Sequence, residues 1–357
     1  MVETKRVLRV AQWATGTVGM FAMKAVIEHP QMELVGVKVY SSAKDGADAG
    51  ELCGLPAIGV RAVRDIASIL ELKPDCVIYM PESTDIDDVC ALLEHGINIV
   101  TTRAEFFNPD MMEPSFRERL ESACERGGAS IHATGSSPGF ITEVLPIAIS
   151  SLARRIDMID IEEFANCREG CSEEMLTSLM GFGESAEQFA RRENQEHSVF
   201  EHSLGQLASA LGTPVERFEY SMEPAYCRND TALHKSTIPA GSVGGMRVAI
   251  TGIRNDLPFI RFTSNWFVTQ DLDPAWELLG NDGWRVQVRG DAPVDMTIRL
   301  PMPVESDVRA SGKYTAHPAV NALPYVVAAR SGIVTTAKLP YMLTRLDAPP
   351  LAVQQAG

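Results

Sequence analysis

Three stretches carry residue types whose spacing could do chemistry. In "NIVTTRAEFFNP", Asn98 to Pro109, a run of β-formers reaches Thr102, and a carboxylate, Glu105, follows between Ala104 and two phenylalanines. Apolar neighbours would partly desolvate it, raising its pKa and strengthening its hold on a nearby cation. Such a group suits nitrogen chemistry, because it favours a charged C=N centre and can move a proton. In "VLRVAQWATGTVG" a β-run leads directly into Ala14, Gly16 and Gly19, ahead of the helical pattern "MFAMKAVIEH". This is AxGxxG, the spacing of a dinucleotide-binding turn with alanine at the first glycine. Gly16 would let backbone approach a pyrophosphate, Gly19 would allow close helix-strand packing, and the N–H groups of Thr17 and Val18 would face the phosphates. The third stretch, "ATGSSPGF", has Gly135 and Gly139 for close backbone approach and Pro138 to set the turn, so it could line a nicotinamide.

The elements that must hold these residues alternate in the first third of the chain. Strands are predicted over Val7–Trp13, Glu33–Tyr40, Cys76–Met80, Ile97–Thr102 and Ala129–Thr134, with helices near Thr17–Glu28, Ala62–Leu70, Asp85–His95 and Pro114–Arg126. That alternation implies a parallel sheet covered on both faces, with ligands beyond the carboxyl ends of its strands. After "GSSPGF" the pattern predicts a helix over Ile141–Leu152, a strand over Asp157–Ala165 and a long helical region from Ser172 to about Leu211. β-patterns follow at Gly244–Ile253, Phe259–Val268, Trp284–Val288 and Met296–Leu300, joined by turns that suit antiparallel hairpins. The fold class expected is α/β, a parallel-sheet domain over 1–140 and a mixed α+β domain over 141–312, with 313–345 packing back on the first.

Composition narrows the function classes. A net charge of -15 over 357 residues argues against a nucleic-acid surface, which needs clustered Lys and Arg. The N-terminus does not resemble a signal peptide and no run approaches eighteen uninterrupted apolar residues, so a cytoplasmic location without membrane contact is expected. The seven cysteines are scattered without a CxxC pair, which suits a reducing compartment; "CREGC" lacks a companion ligand pair, so no metal is expected. The second strand ends in "VKVYSSAKDG", with no acid in the usual place for a ribose hydroxyl. Ser41, Ser42 and Lys44 suit a 2′-phosphate, which points to NADP, with NAD as the alternative. Among other acids, Glu82 and Glu143 stand at helix starts, and Glu162 and Glu163 are successive on a strand, so only one of the two can face a pocket.

The glycine loop, "VIYMPES", "TTRAEFFNP", "ATGSSPGF" and "NALPYVVAARSGIVTTAKLP" come in an order that resembles the dihydrodipicolinate reductase-like superfamily. Within it the chain is most similar to native amine dehydrogenases and the related 2,4-diaminopentanoate dehydrogenase. The resemblance spans nearly the whole chain and implies a Rossmann domain with a substrate and dimerisation domain, a homodimer, and NAD(P)-dependent reductive amination of a ketone or aldehyde with ammonia, or its reverse. It implies that Glu105 is catalytic and that Met80, Pro81, Thr102, Arg103 and Gly135 lie at the cofactor, with Asn321 near the carboxamide. Phe140, Phe164, Asn166, Met180 and Phe182 become candidates for the substrate pocket. The paired-histidine signature of dihydrodipicolinate reductase itself is missing; His234 and Lys235 are its nearest imitation. Few fixed cations in these segments point to a carbonyl compound without a carboxylate. The rival readings are a same-fold reductase of a C=O or cyclic imine, and a non-catalytic NADP-binding protein.

Overall fold

A computed structural model describes residues 6–169, 171–192, 198–301, 304–305, 308–309 and 311–344. The chain divides into two units, one running to Ser136 and resuming at Gly312, the other spanning Ser137–Ser311.

In the first unit the alternation produces strands β1 (Leu8–Trp13), β2 (Met32–Lys38), β3 (Ala62–Val63), β4 (Cys76–Tyr79), β5 (Asn98–Thr101) and β6 (Ser130–Ala133). Every pairing is parallel, in the order β6-β5-β4-β1-β2-β3, and a late strand, Gly332–Ile333, adds beside β6. Helices α1 (Thr17–Ile27), α2 (Ala49–Leu52), α3 (Ile66–Leu72), α4 (Ile86–Glu94) and α5 (Pro114–Gly127) connect them. The strands read as apolar runs because both faces are buried: Val10, Cys76, Ile78 and Val100 face one cluster, and Ala11, Trp13, Val77, Tyr79 and Ile99 face the other. Helix starts are set by polar caps. Asp65, Asp85 and Glu113 accept backbone N–H bonds ahead of α3, α4 and α5. Gly128, at φ +65°, ends α5 in the left-handed conformation that glycine adopts without strain. Sequence periodicity predicts one helix over Ala62–Leu70, but Ala62–Val63 pairs with β2 and the helix begins only after the Asp65 cap.

The returning segment, helix Ser311–Val327 followed by Gly332–Ile333, is tied into this unit by polar contacts. Ser130 Oγ donates to the Val326 carbonyl at 2.7 Å, Ser136 Oγ and Thr315 Oγ1 are 2.8 Å apart, and His132 Nδ1 lies 2.8 Å from the Val334 carbonyl.

The second unit is built on a seven-stranded mixed sheet. Its order is Leu272–Asp273, Arg217–Cys227, Val243–Arg254, Leu257–Phe267, Ile156–Asn166, Asp282–Gly290, Val294–Arg299. Only Leu257–Phe267 and Ile156–Asn166 run parallel. Alternate residues divide between two faces. Ile159 and Ile161 pack with Phe262, Trp284 and Val286 under Leu204, Leu207 and Ala208 of the helix Ser198–Ala210. The other face carries Asp160, Glu162, Arg247, Arg261 and Arg285, with Asp160 paired to Arg261 and Arg289.

Two expectations change here. The continuous helix predicted from Ser172 to about Leu211 is broken into Met175–Leu179, Ala186–Phe189 and Ser198–Ala210. Gly181 and Gly183, at φ +84° and +91°, turn the chain where apolar periodicity alone continues. The strand Arg217–Cys227 has no counterpart in the sequence reading, because its exposed half and Pro224 hide the alternation.

Burial lowers the His132 pKa from near 6.5 to about 4, partly offset by the bond to the Val334 carbonyl. Between those values the unfolded chain binds a proton that the fold excludes, so stability rises with pH across this window. Thermal unfolding should therefore show stability falling from pH 6.5 towards 4, by up to about 3 kcal/mol from this group. His132→Gln should flatten that slope.

Candidate active site

The carboxyl ends of four strands stand level. Trp13 of β1 is in register with Tyr79 of β4, Tyr79 with Thr101 of β5, and Thr101 with Ala133 of β6. The glycine loop, the "MPES" turn, the Glu105 turn and the Gly135 segment thus leave the sheet from one edge, the edge at which open parallel sheets bind ligands.

At the glycine loop Ala14 takes φ +71°, a left-handed conformation that costs an alanine more than a glycine. The buried Gln12 side chain braces the turn by donating to the Ala14 carbonyl at 2.9 Å. A Cβ on Gly19 would lie 2.4 Å from that same carbonyl oxygen, whereas a Cβ on Gly16 would meet nothing within 4 Å. Gly19 is therefore required by packing, while Gly16 leaves open space before the N-terminus of α1. No side chain caps that N-terminus and no acidic residue occupies its first turn. The N–H groups at Thr17 and Val18 and the helix dipole are arranged to meet an anion. With Thr134 Oγ1 buried beyond β6 and lacking a hydrogen-bond partner, this edge fits a dinucleotide.

The adenosine end departs from the expectation in detail. Lys44 Nζ donates to the Thr15 carbonyl at 2.8 Å and contacts its Oγ1 at 3.1 Å, bracing the glycine loop, and Ser41 Oγ accepts from Ala43 N. Ser42 is exposed. The sequence reading missed Lys38 and Tyr40. The Lys38 ammonium, its pKa lowered chiefly by burial, lies 3.4 Å from the centre of the Tyr40 ring, and Tyr40 Oη accepts from Trp13 Nε1 at 3.1 Å. The end of β2 is therefore cationic and aromatic. The alternation that placed Lys38 inside a strand concealed it.

Glu105 sits on the short 3-10 turn Ala104–Phe106 after β5. Its flanking rings do not surround it. Phe106 and Phe107 are buried in the core with Leu120 and Ile131, and Phe106 packs against Phe116 at 5.7 Å. They anchor the turn so that the carboxylate, whose side chain is 29 % exposed, projects away from the core. Its partners are polar: Thr84 Oγ1 donates to Glu105 Oε1, and Arg103 Nε donates to the same oxygen at 3.1 Å. Arg103 is held by donating from Nη1 to the Glu82 carbonyl at 2.6 Å, and its backbone N–H bonds Thr101 Oγ1. The environment expected from the neighbouring phenylalanines is thus replaced by a hydroxyl and a guanidinium. Thr84, 21 residues earlier in the chain, gave no signal in the sequence. Met80 donates its N–H to the Trp13 carbonyl at 3.0 Å, Pro81 is buried beside it, and Thr102 and Gly135 flank the neighbouring strand ends.

The structure separates Asn321 from this edge. It lines a cavity of about 1260 Å³ with Leu8, Gln31 and Met32, where β1 and β2 begin. The glycine loop lies at the opposite strand ends, because the helix Ser311–Val327 starts beside Phe21 and runs the length of the sheet.

In the second unit the five pocket candidates divide. Phe140 packs 6.4 Å from Trp284 on the helix-covered face, and Met180 and Phe182 are buried in an adjoining cluster that includes Trp266. Phe164 is one residue out of phase with that face and lines the charged slot with Glu162, Arg247 and Arg285. Asn166 is occupied locally, bonding Asn281 Oδ1 and the Arg168 N–H. Between the Phe140 and Met180 groups stands Glu163, which accepts from Trp266 Nε1 and Trp284 Nε1, each at 3.1 Å.

This fold and its ligand edge define a dehydrogenase of the dinucleotide-binding α/β class. A family model of the 2,4-diaminopentanoate dehydrogenase C-terminal domain matches residues 140–349, more than half of the chain. The chain belongs to that family and is an NAD(P)-dependent oxidoreductase of the amine dehydrogenase kind. It is 27 % identical over 341 residues to an amine dehydrogenase of Streptomyces virginiae, covering 92 % of this chain and 95 % of the relative. It is 24 % identical over 290 residues to 2,4-diaminopentanoate dehydrogenase of Acetoanaerobium sticklandii, covering 79 % and 77 %. The solved amine dehydrogenase of Mycobacterium smegmatis shares the fold with a TM-score of 0.76 at 20 % identity, over 96 % of this chain and 98 % of that one.

Two glycine substitutions should separate packing from binding. Gly16→Ala should fold and melt close to wild type yet bind NADPH at least about tenfold more weakly in a fluorescence titration. Gly19→Ala should lose about 1–3 kcal/mol of stability through overpacking, read as a lower melting temperature.

Proposed function

We propose that the protein catalyses NAD(P)H-dependent reductive amination of a small ketone or aldehyde with ammonia, and the reverse oxidative deamination. The observation that carries this reading is the Glu105 carboxylate, partly exposed at the ligand edge and held by Thr84 and Arg103. Family membership and the amine dehydrogenase among its relatives support it. In the synthetic direction, carbonyl, ammonia, NAD(P)H and a proton yield amine, NAD(P)+ and water. The nicotinamide supplies the hydride.

The residues of the chain do the rest. Glu105 accepts a proton as ammonia adds and returns one as water leaves, and its negative charge then favours the protonated imine, the form that takes hydride most readily. The Thr84 hydroxyl and Arg103 hold one of its oxygens and leave the other for that exchange. Gly16, Thr17 and Val18 hold the pyrophosphate, with Met80, Pro81, Thr102, Arg103 and Gly135 along the same edge. NADP is the cofactor proposed, since the end of β2 offers Lys38, Ser41, Ser42 and Lys44 and no acid before Asp45. The second unit is the substrate-binding and dimerisation unit, with Phe140, Met180 and Phe182 as apolar walls. A homodimer, a cytoplasmic location and a substrate without a carboxylate complete the proposal.

Assays with NADPH and NADH, a ketone and aldehyde panel, and high ammonium should show nucleotide oxidation that requires ammonia. Oxidation with a ketone alone would mean simple carbonyl reduction. Glu105→Gln should lower kcat by about 10²–10⁴-fold while leaving the NADPH dissociation constant unchanged; full activity in that variant would remove Glu105 from the chemistry.

A further inference from the structure

Most of the wall of the cavity of about 1260 Å³ comes from "NALPYVVAARSGIVTTAKLP", and every residue lining it belongs to the first unit. The second half of the helix Ser311–Val327, the strand Gly332–Ile333 and the 3-10 turn Thr336–Lys338 stand around Leu8, Gln31 and Met32, at the starts of β1 and β2. The chain just beyond is tied to the helix by the Leu343 N–H, which donates to Tyr325 Oη at 3.1 Å. The cationic side chains of the wall are Arg6, His29, Arg330 and Lys338, and no Asp or Glu lines it among the described residues. The charged slot of the second unit is different in kind: Glu162, Glu223 and Glu277 there balance Arg247, Arg261 and Arg285.

Arg6 is paired with Asp75, but Arg330 and Lys338 have no ion pair or side-chain hydrogen bond among the described residues. The side-chain amides of Gln31 and Asn321, both half-buried, are uncommitted as well, and Tyr325 Oη keeps its own proton to donate. Exposed cations alone are ordinarily solvated, so the two open amides at the same cavity carry more weight, because polar groups drawn back from water are as a rule paired.

In a chain of net charge -15, a wall with two uncompensated cations and no acid selects an anion. Two charges match the dianion of a phosphate monoester, which an arginine fork can also hold bidentately. Each amide offers a donor beside an acceptor, the complement of an adenine edge. Leu8, Met32 and Leu339 add apolar surface, and the volume exceeds the roughly 300–1,000 Å³ of common small-molecule sites.

We propose that this cavity is a second nucleotide site, separate from the dinucleotide edge at the opposite strand ends, and that its ligand is a nucleoside monophosphate. Arg330 and Lys338 hold the phosphate, and Gln31 and Asn321 read the base.

The test titrates the intact enzyme, its cofactor site filled with NADPH, with adenosine 5′-monophosphate by calorimetry while the fluorescence of the bound NADPH is followed. The monophosphate should bind with that fluorescence unchanged. Arg330→Gln combined with Lys338→Gln should weaken this binding at least about tenfold and leave the NADPH dissociation constant as in wild type. Asn321→Ala should weaken the monophosphate about fivefold or more while leaving ribose 5-phosphate, which has no base, unaffected. Binding that displaces NADPH, or no binding beyond the cofactor site, would overturn the proposal. Inorganic phosphate binding as tightly as the monophosphate, or an affinity indifferent to the paired substitution, would overturn it too, leaving a general anion surface only.

Discussion

The arrangement depends on one close approach, that of Gly19 in α1 to the Ala14 carbonyl at the end of β1. A side chain at that position would separate helix from strand, and the N-terminus of α1 would no longer sit against the turn with its N–H groups aimed outward. Gln12 beneath the turn and Lys44 above it bond the same short segment from two sides. The backbone conformation of Ala14, unfavourable for an alanine, is thereby over-determined by its surroundings. Because β1 is central in the sheet, the level of this turn is shared with the loops after β4, β5 and β6.

From that shared level the Glu105 turn follows by ordinary packing. Two successive phenylalanines enter the core and fix a 3-10 turn whose intervening geometry leaves the glutamate outside. Its immediate setting is then polar, since Thr84 and Arg103 take one oxygen between them. A carboxylate held in this way has one oxygen engaged and its orientation fixed, which suits the proton exchange proposed for it.

The second unit shows how a one-residue phase decides chemistry. Along Ile156–Asn166 the successive acids Glu162 and Glu163 point to opposite faces, one into a lattice of arginines and one between two indoles. Sequence pattern restricts a pocket to one of them but cannot choose which, because both flank positions of the strand are apolar. The same phase removes Phe164 from the side where Phe140, Met180 and Phe182 gather. The strand Arg217–Cys227 escaped notice for a related reason. Much of it is exposed, and an exposed strand need not alternate.

The sequence by itself determined what local patterns encode. These are the strand-helix alternation of the first unit, the spacing of Ala14, Gly16 and Gly19, and the position of Glu105 just beyond a strand end. Each follows from periodicity or backbone freedom, which act within a few residues. Tertiary structure decided what depends on residues distant in the chain. It brought Thr84 to Glu105 and Trp13 to the Tyr40 hydroxyl, and it set Asn321, in the second half of its helix, beside the starts of β1 and β2. Two tryptophans 18 residues apart meet on Glu163 only because the strands bearing them flank Ile156–Asn166 on either side. Such contacts are set by strand order and helix direction, which one-dimensional patterns do not carry.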